Sequence, residues 1–368
     1  MSAAPLELPR WADYALVPIL AVATSFLAAG LVVLAIGENP LEATAIMLRG
    51  ALGTGEGIGF TLYYATNFIF TGLAVAVAFH AGLFNIGGEG QAALGGVGAA
   101  LVCLRFESLP AWALIPLASL SAACFGALWA LIPAYLQARR GSHIVITTIM
   151  FNMLASALLV YLLVSVIGRP DSMSPETRTF GPNAHVPFMH VMAAGLGWSI
   201  PATPLNASFL LALAACAALW ALIWRTRLGF AIRTVGANPS AALYAGISIS
   251  RITVIAMLIS GGLAGLLAVN EIMGVQDRLL LEFTAGYGFI GIAVALMGRS
   301  HPVGIILASV LFGVMYQGGA ELAFDKPAIT RDMIVTISGL VILFAGALDG
   351  IFRGPLSRAF AARRRAGP

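Results

Sequence analysis

Charge is scarce in these 368 residues: Asp, Glu, Lys and Arg together make up 10% of the chain. A soluble domain carries about 25%, so there is too little polar surface here to cover a water-soluble enzyme of this size. Lysine is almost missing. Lys326 is the only one, and the other nineteen basic residues are Arg. Without a Gly-Lys pair there is no P-loop to grip nucleotide phosphates, so any ATP-driven work belongs to another chain. Cysteine is rare too: Cys103, Cys124 and Cys216 lie apart in apolar runs, with no CxxC pair and no zinc spacing. They read as small packing residues. No HExxH, no GxSxG and no acidic pair at catalytic spacing is found, which argues against an intramembrane enzyme. The net charge of +4 comes with no basic, aromatic-interleaved polar face, so nucleic acid is not expected as a partner.

What fills the chain is apolar. Hydrophobic side chains make up 60% and the mean hydropathy is +0.93. Forty-one Gly suit membrane helices better than soluble ones. A crossing needs about 20 mostly apolar residues, and about ten such segments are predicted: Tyr14–Ile36, Phe60–Phe79, Gly82–Leu104, Ala111–Leu136, His143–Ile167, Ala207–Trp224, Ile252–Ile272, Phe283–Met297, Pro302–Ala320 and Asp332–Leu348. The first is longer than the 7–15 apolar residues of a signal peptide and is read as an anchor. The fold class is therefore all-α, a polytopic helical membrane protein.

Basic residues give the orientation. Alternate connections hold thirteen of them, including Arg139, Arg140, Arg225, Arg227, Arg233, Arg251, Arg299 and the run from Arg353, against seven on the other side. The richer side is expected to be cytoplasmic, with both termini there. Residues 225–251 then form a cytoplasmic loop and residues 168–206 an extracytoplasmic one. The latter carries six prolines, which forbids a regular spanning helix. A second outer segment, Gly37–Gly59, opens with Asn39-Pro40-Leu41-Glu42. Asn as cap, Pro in the first turn and Glu three after the cap predict a capping box and a short surface helix. The Gly53–Gly59 run breaks GxGxxG spacing and is read as a flexible linker.

Two runs carry most information. In His80–Gln91, Asn85 and Glu89 stand four apart, which would put them on one helix face. An ionisable group within a span is a functional candidate, although the pair could equally hold broken helices together through backbone contacts. Gly88, Ala92, Gly96 and Ala100 follow as a seam for close helix packing, and Gly261 and Gly265 read the same way. The second run is Arg225–Ile247. Gly236 is expected to make a sharp turn, Asn238 to cap, Pro239 to open a short helix and Gly246 to stop it after Tyr244. Asn67, Asn152 and Gln317 are polar residues within spans. Glu271, Glu282 and Asp349 read as terminal.

The run Gly82–Gln91 (GLFNIGGEGQ) resembles the hallmark of permease subunits of ABC importers in the branched-chain amino acid/simple sugar superfamily. Arg233–Ile247 resembles their cytoplasmic coupling loop, Leu280–Arg299 a late segment of theirs, and Asn39–Ala43 an NPLEA-like stretch of the nucleoside-type members. The resemblance implies a type II ABC importer permease fold with an inverted repeat of spans, in the bacterial cytoplasmic (inner) membrane. It also implies a cytosolic ATPase that binds ATP and Mg, a second permease subunit in a heterodimer, and an extracytoplasmic substrate-binding lipoprotein. The chain itself would hold no cofactor or metal. Alternating access would be driven by ATP through the coupling helix, with Arg233, Gly236, Asn238, Pro239 and Tyr244 as coupling candidates. Phe84, Asn85, Glu89, Gln91 and Phe289 are the candidates for the solute pathway. The solute would be a nucleoside, or alternatively a simple sugar; an ion-coupled secondary transporter is the rival from another class.

Overall fold

The computed structural model describes residues 16–169 and 173–327, together with positions 9, 12, 329, 333, 336, 339–340 and 355–357. The described residues are helical, with β pairing confined to two isolated bridges, Glu176 with Leu280 and Phe188 with Asn206. Six helices are long and apolar enough to cross a membrane: Gly55–His80 (α3), Ala111–Arg140 (α5), Ile144–Ser165 (α6), Ser208–Arg225 (α8), Ile249–Met273, and Pro302–Asp325 (α13). The helix pair Ala23–Ala35 and Pro40–Leu52 passes the same test together, bent by 118°. The expected crossing at Asp332–Leu348, Asp349 and the arginine-rich end from Arg353 lie outside the described residues.

The chain divides into two compact units, Met1–Gly53 with Val314–Pro368, and Thr54–Gly313. The first holds Val17–Ala35 (α1) and Pro40–Leu52 (α2). Asn39 caps α2, its Oδ1 accepting the Leu41 N–H at 3.0 Å, and Pro40 occupies the first turn. The predicted capping box is only half present. Glu42 Oε1 lies 3.0 Å from Lys326 Nζ, which also reaches Glu38 at 3.3 Å. An ammonium within reach outcompetes a backbone N–H for the carboxylate. Ala29, Val33, Ala43, Met47, Met315, Leu322 and Ile329 form this unit's core.

The second unit begins with a correction. Gly53–Gly59 is not a flexible linker, because Thr54 caps α3 through Gly57 N–H at 3.0 Å and the glycines form its first turns. Gly59 is required there: a Cβ would fall 2.6 Å from Thr203 Cγ2. Further along α3, Phe68, Ile69, Phe70 and Leu73 are fully buried.

Against α3 pack Gly88–Arg105 (α4), Ile249–Gly265 (α11) and Tyr287–Met297 (α12), and α5 packs on α4 and α11. Glycine sets the closest approaches. A methyl at Gly95 would meet Gly265, one at Gly98 would meet Ser121 O and Phe125, and one at Gly126 would meet Gly261 O. The contacts of α4 with α5 and α11 therefore use Gly98 and Gly95, while Gly96 of the expected seam faces Phe283 and Leu279.

Two expected crossings are interrupted. The segment Gly82–Leu104 becomes helical only at Gly88, and Phe283–Met297 only at Tyr287. With 11 residues α12 is about 16 Å long, half of a ~30 Å hydrocarbon core. Glycine-rich sequence weakens a helix locally even where the mean composition is apolar. After α11 the chain widens into a π-turn, Val269–Met273.

The proline-rich stretch forms a 3-10 turn, Pro182–Ala184, and the short helix Met189–Gly195 (α7). It is strapped to residues 273–280: Thr177 N–H donates to Leu279 O, Phe180 N–H to Asp277 O and Val186 N–H to Met273 O. His185 Nδ1 lies 2.8 Å from Asp277 Oδ1, and Arg278 pairs with Glu176 at 3.2 Å.

Candidate functional site

Between α3 and α4 the chain leaves helical geometry from Ala81 to Gly87. Asn85 sits in this break and Glu89 in the first turn of α4, so the two do not share a helix face. Their partners diverge accordingly. Asn85 and Gln91 form a reciprocal amide pair, Nδ2 to Oε1 at 3.0 Å and Nε2 to Oδ1 at 3.2 Å. Asn85 Nδ2 also reaches Ser260 Oγ at 2.8 Å, and Ser260 donates to Ala74 O at 2.6 Å. Both amides are 1% exposed.

Helix N-termini leave N–H groups without intrahelical acceptors, and within lipid such groups need protein partners. Both interrupted helices meet that need with side chains. At α4, Asn85 Oδ1 accepts Gly87 N–H at 2.9 Å and Asn152 Oδ1 accepts Gly90 N–H at 2.9 Å. Asn152 also donates to Ile86 O at 2.9 Å. At α12, the Glu89 carboxylate accepts Thr284 Oγ1–H at 2.5 Å, Gly286 N–H at 2.9 Å and Gly288 N–H at 2.8 Å. A carboxylate suits this place because the helix dipole presents positive potential at an N-terminus. The two helix starts abut: a Cβ at Gly88 would sit 3.4 Å from Gly288 O.

Two aromatic candidates flank these starts. Phe84 is 36% exposed and stacks on Phe79 at 5.3 Å, and Phe289 is 47% exposed. Apolar aromatic surface beside capped, polar helix ends can receive a solute with an apolar face and a few hydrogen-bonding groups.

Glu271 overturns an expectation. It is not terminal but 4% exposed in the π-turn, its Oε1 accepting Tyr63 O–H at 2.7 Å and Asn67 Nδ2–H at 2.5 Å. The network continues. Asn270 donates to Asn67 Oδ1 at 2.9 Å and to Tyr63 O at 3.2 Å, and its Oδ1 accepts from Asn206 at 3.0 Å and Ser208 Oγ at 2.7 Å. Consecutive Asn and Glu before a glycine look like a span end. The partners that bury them lie 203 and 204 residues earlier. Glu282, by contrast, is exposed.

The segment 225–251 holds two helices rather than one, Arg227–Ala237 (α9) and Pro239–Tyr244 (α10). Thr226 caps α9 through Gly229 N–H, and Asn238 caps α10 through Ala241 N–H at 3.1 Å. Gly236 does not make the turn. It lies within α9, where a Cβ would meet His80 O, and Asn238 with φ −158° turns the chain instead. Gly246, at φ +75°, ends α10 as expected. Arg233, Asn238, Pro239 and Tyr244 are exposed, Tyr244 at 95%. Among the described residues no group of three His, Cys, Asp or Glu side chains could hold a metal ion.

The family described as "Branched-chain amino acid transport system / permease component" matches residues 57–346. A glucose ABC transporter permease of Haloferax volcanii is 37% identical over 339 residues, covering 91% of this chain and 88% of its own. A nucleoside ABC transporter permease of Lactococcus lactis is 33% identical, covering 89% and 90%, and a guanosine ABC transporter permease of Bacillus subtilis 33%, covering 91% and 94%. No solved structure matches significantly. With a family match from the start of α3 to beyond α13 and relatives this similar along nearly their whole length, the chain belongs to the branched-chain amino acid/simple sugar family of ABC transporter permeases.

Proposed function

We propose that this chain is one permease subunit of an ATP-driven importer for nucleosides. It lies in the cytoplasmic membrane with both termini inside, where the arginine-rich connections point. It pairs with a second permease, a cytosolic ATPase that binds ATP and Mg, and an extracytoplasmic binding lipoprotein, and carries no cofactor of its own. The observation that carries the solute is the full-length likeness to two permeases named for nucleosides and guanosine. Phe84 and Phe289 line the passage, while Asn85, Glu89 and Gln91 build the helix ends that open and close it. The exposed surface of α9 and α10, with Arg233 on α9 and Asn238, Pro239 and Tyr244 on α10 and its cap, receives the ATPase, and Gly236 seats α9 on the end of α3. Motion of α10 shifts the packing equilibrium only as far as the ATPase binds the two states differently. A simple sugar is the second reading, favoured by the glucose permease at 37% identity.

The test is reconstitution of the permease pair, ATPase and binding protein in proteoliposomes. ATP-dependent accumulation of guanosine or uridine supports the proposal. Accumulation of glucose alone selects the second reading. Uptake that needs no ATPase and collapses with an uncoupler overturns both.

A further inference from the structure

We propose that the Glu271 carboxyl group, held beside Asn67, is a recognition site for a vicinal pair of sugar hydroxyls at mid-depth in the permease, the Tyr63 hydroxyl taking the place of one of them in the present structure. The inference rests on the transport reading above and specifies the chemistry that nucleosides and simple sugars share.

Glu271 is the only carboxylate or basic side chain among the buried described residues. Asn67 is the thirteenth of the 26 residues of α3, so the cluster lies about 18 Å from either end of that helix. An ionisable group at such depth is costly and marks a site by default. Discontinuous helices are where membrane carriers place their solutes, and Glu271 stands in the π-turn between α11 and α12.

Holding the π-turn to α3 does not require a carboxylate. Both donors fall on Oε1, and the carbonyl oxygen of a glutamine would accept them as well without a charge to desolvate. The carboxyl group adds a second oxygen, and two oxygens on one planar group suit two adjacent hydroxyls. In the present structure the Tyr63 phenol makes an O–H bond to Oε1 of the kind a solute hydroxyl would make. Asn270 extends the cluster, donating to Asn67 Oδ1 at 2.9 Å.

The test uses the complete complex in proteoliposomes, wild type and Glu271→Gln, with the same binding protein throughout. One arm compares guanosine with 2′,3′-dideoxyguanosine, the other glucose with 2-deoxyglucose. A site built to bond hydroxyls should prefer the intact diol by about tenfold or more in the wild type. Glu271→Gln should cut that preference severalfold, with uptake of the intact diol falling more than uptake of the deoxy compound. The arm that responds identifies the solute class. An unchanged preference in the variant overturns this inference and leaves the transport reading standing, whereas a wild type that moves neither solute overturns both. Should Glu271→Gln fail to assemble, Tyr63→Phe decides. Removing the competing phenol should lower KM for the intact diol, while a merely structural tie predicts an unchanged or higher KM.

Discussion

The carboxylate of Glu89 accepts the backbone N–H of Gly288, 199 residues further along the chain, at 2.8 Å. The start of α12 is thus capped by a residue in the first turn of α4, and the two helices meet start to start. Glu89→Ala would leave Gly286 and Gly288 N–H without these acceptors, and an unsatisfied buried donor costs about 1–3 kcal/mol. We expect the purified complex to melt several degrees lower, with Glu89→Gln in between because its amide oxygen still accepts. A Glu89→Ala complex that melts with the wild type would refute the capping role. Uptake and ATPase stimulation left intact in both Asn85→Ala and Glu89→Gln would remove these residues from the proposed gate.

How far the sequence anticipates this site follows from the range of the forces. Long apolar runs declare themselves: Phe60–Phe79 and Ala207–Trp224 were expected within a few residues of α3 and α8. Caps are local too, and the asparagines at 39 and 238 act as read. The breaks are different. Nothing near Glu89 names Thr284, and nothing near Glu271 names Tyr63, because those partners are brought together only by tertiary packing. Helix α9 lies where a cytoplasmic loop is expected, although Thr226 is a sound cap and Gly229, Ile232 and Val235 recur at the spacing of a buried face.

Adjacent glycines offer a test of the α5–α11 packing. At Gly261 an added Cβ would fall 2.6 Å from Ala130 Cβ and still closer to Gly126 O, whereas at Gly262 the nearest atom is Ala123 O at 3.3 Å. Overpacking of this kind costs about 1–3 kcal/mol. Gly261→Ala should lower both the yield of inserted protein and its melting temperature, and Gly262→Ala should stay near the wild type. Equal behaviour of the two variants would mean that this helix pair does not pack as described.

In the first unit, hydrogen bonds to Glu42 and Glu38 hold the Lys326 ammonium above the ordinary lysine value. A raised pKa in the folded state contributes stability that is fully present below the unfolded value. That stability is lost only as pH rises through the folded one. The tie should therefore be constant across neutral pH and fade on the strongly alkaline side. Lys326→Met should lower the melting temperature by a small, uniform amount between about pH 6 and 9, because lysine stays charged throughout that range. A difference that varies across this range would contradict the assignment.

Helix α10 separates folding from coupling. It has six residues, too few to persist without its cap and its contacts. Asn238→Ala removes the acceptor for Ala241 N–H, a loss of about 1 kcal/mol, and should fray the helix while the spans stay intact. Asn238→Asp keeps an oxygen in place and should restore it. Tyr244, 95% exposed, contributes almost nothing to the fold of this chain. Tyr244→Ala should therefore melt with the wild type yet co-purify with less ATPase and show weaker solute-stimulated hydrolysis. The pair of measurements matters: Asn238→Ala should lose both helix order and coupling, Tyr244→Ala coupling alone. Full ATPase retention and full transport in both variants would move the coupling surface elsewhere on the chain.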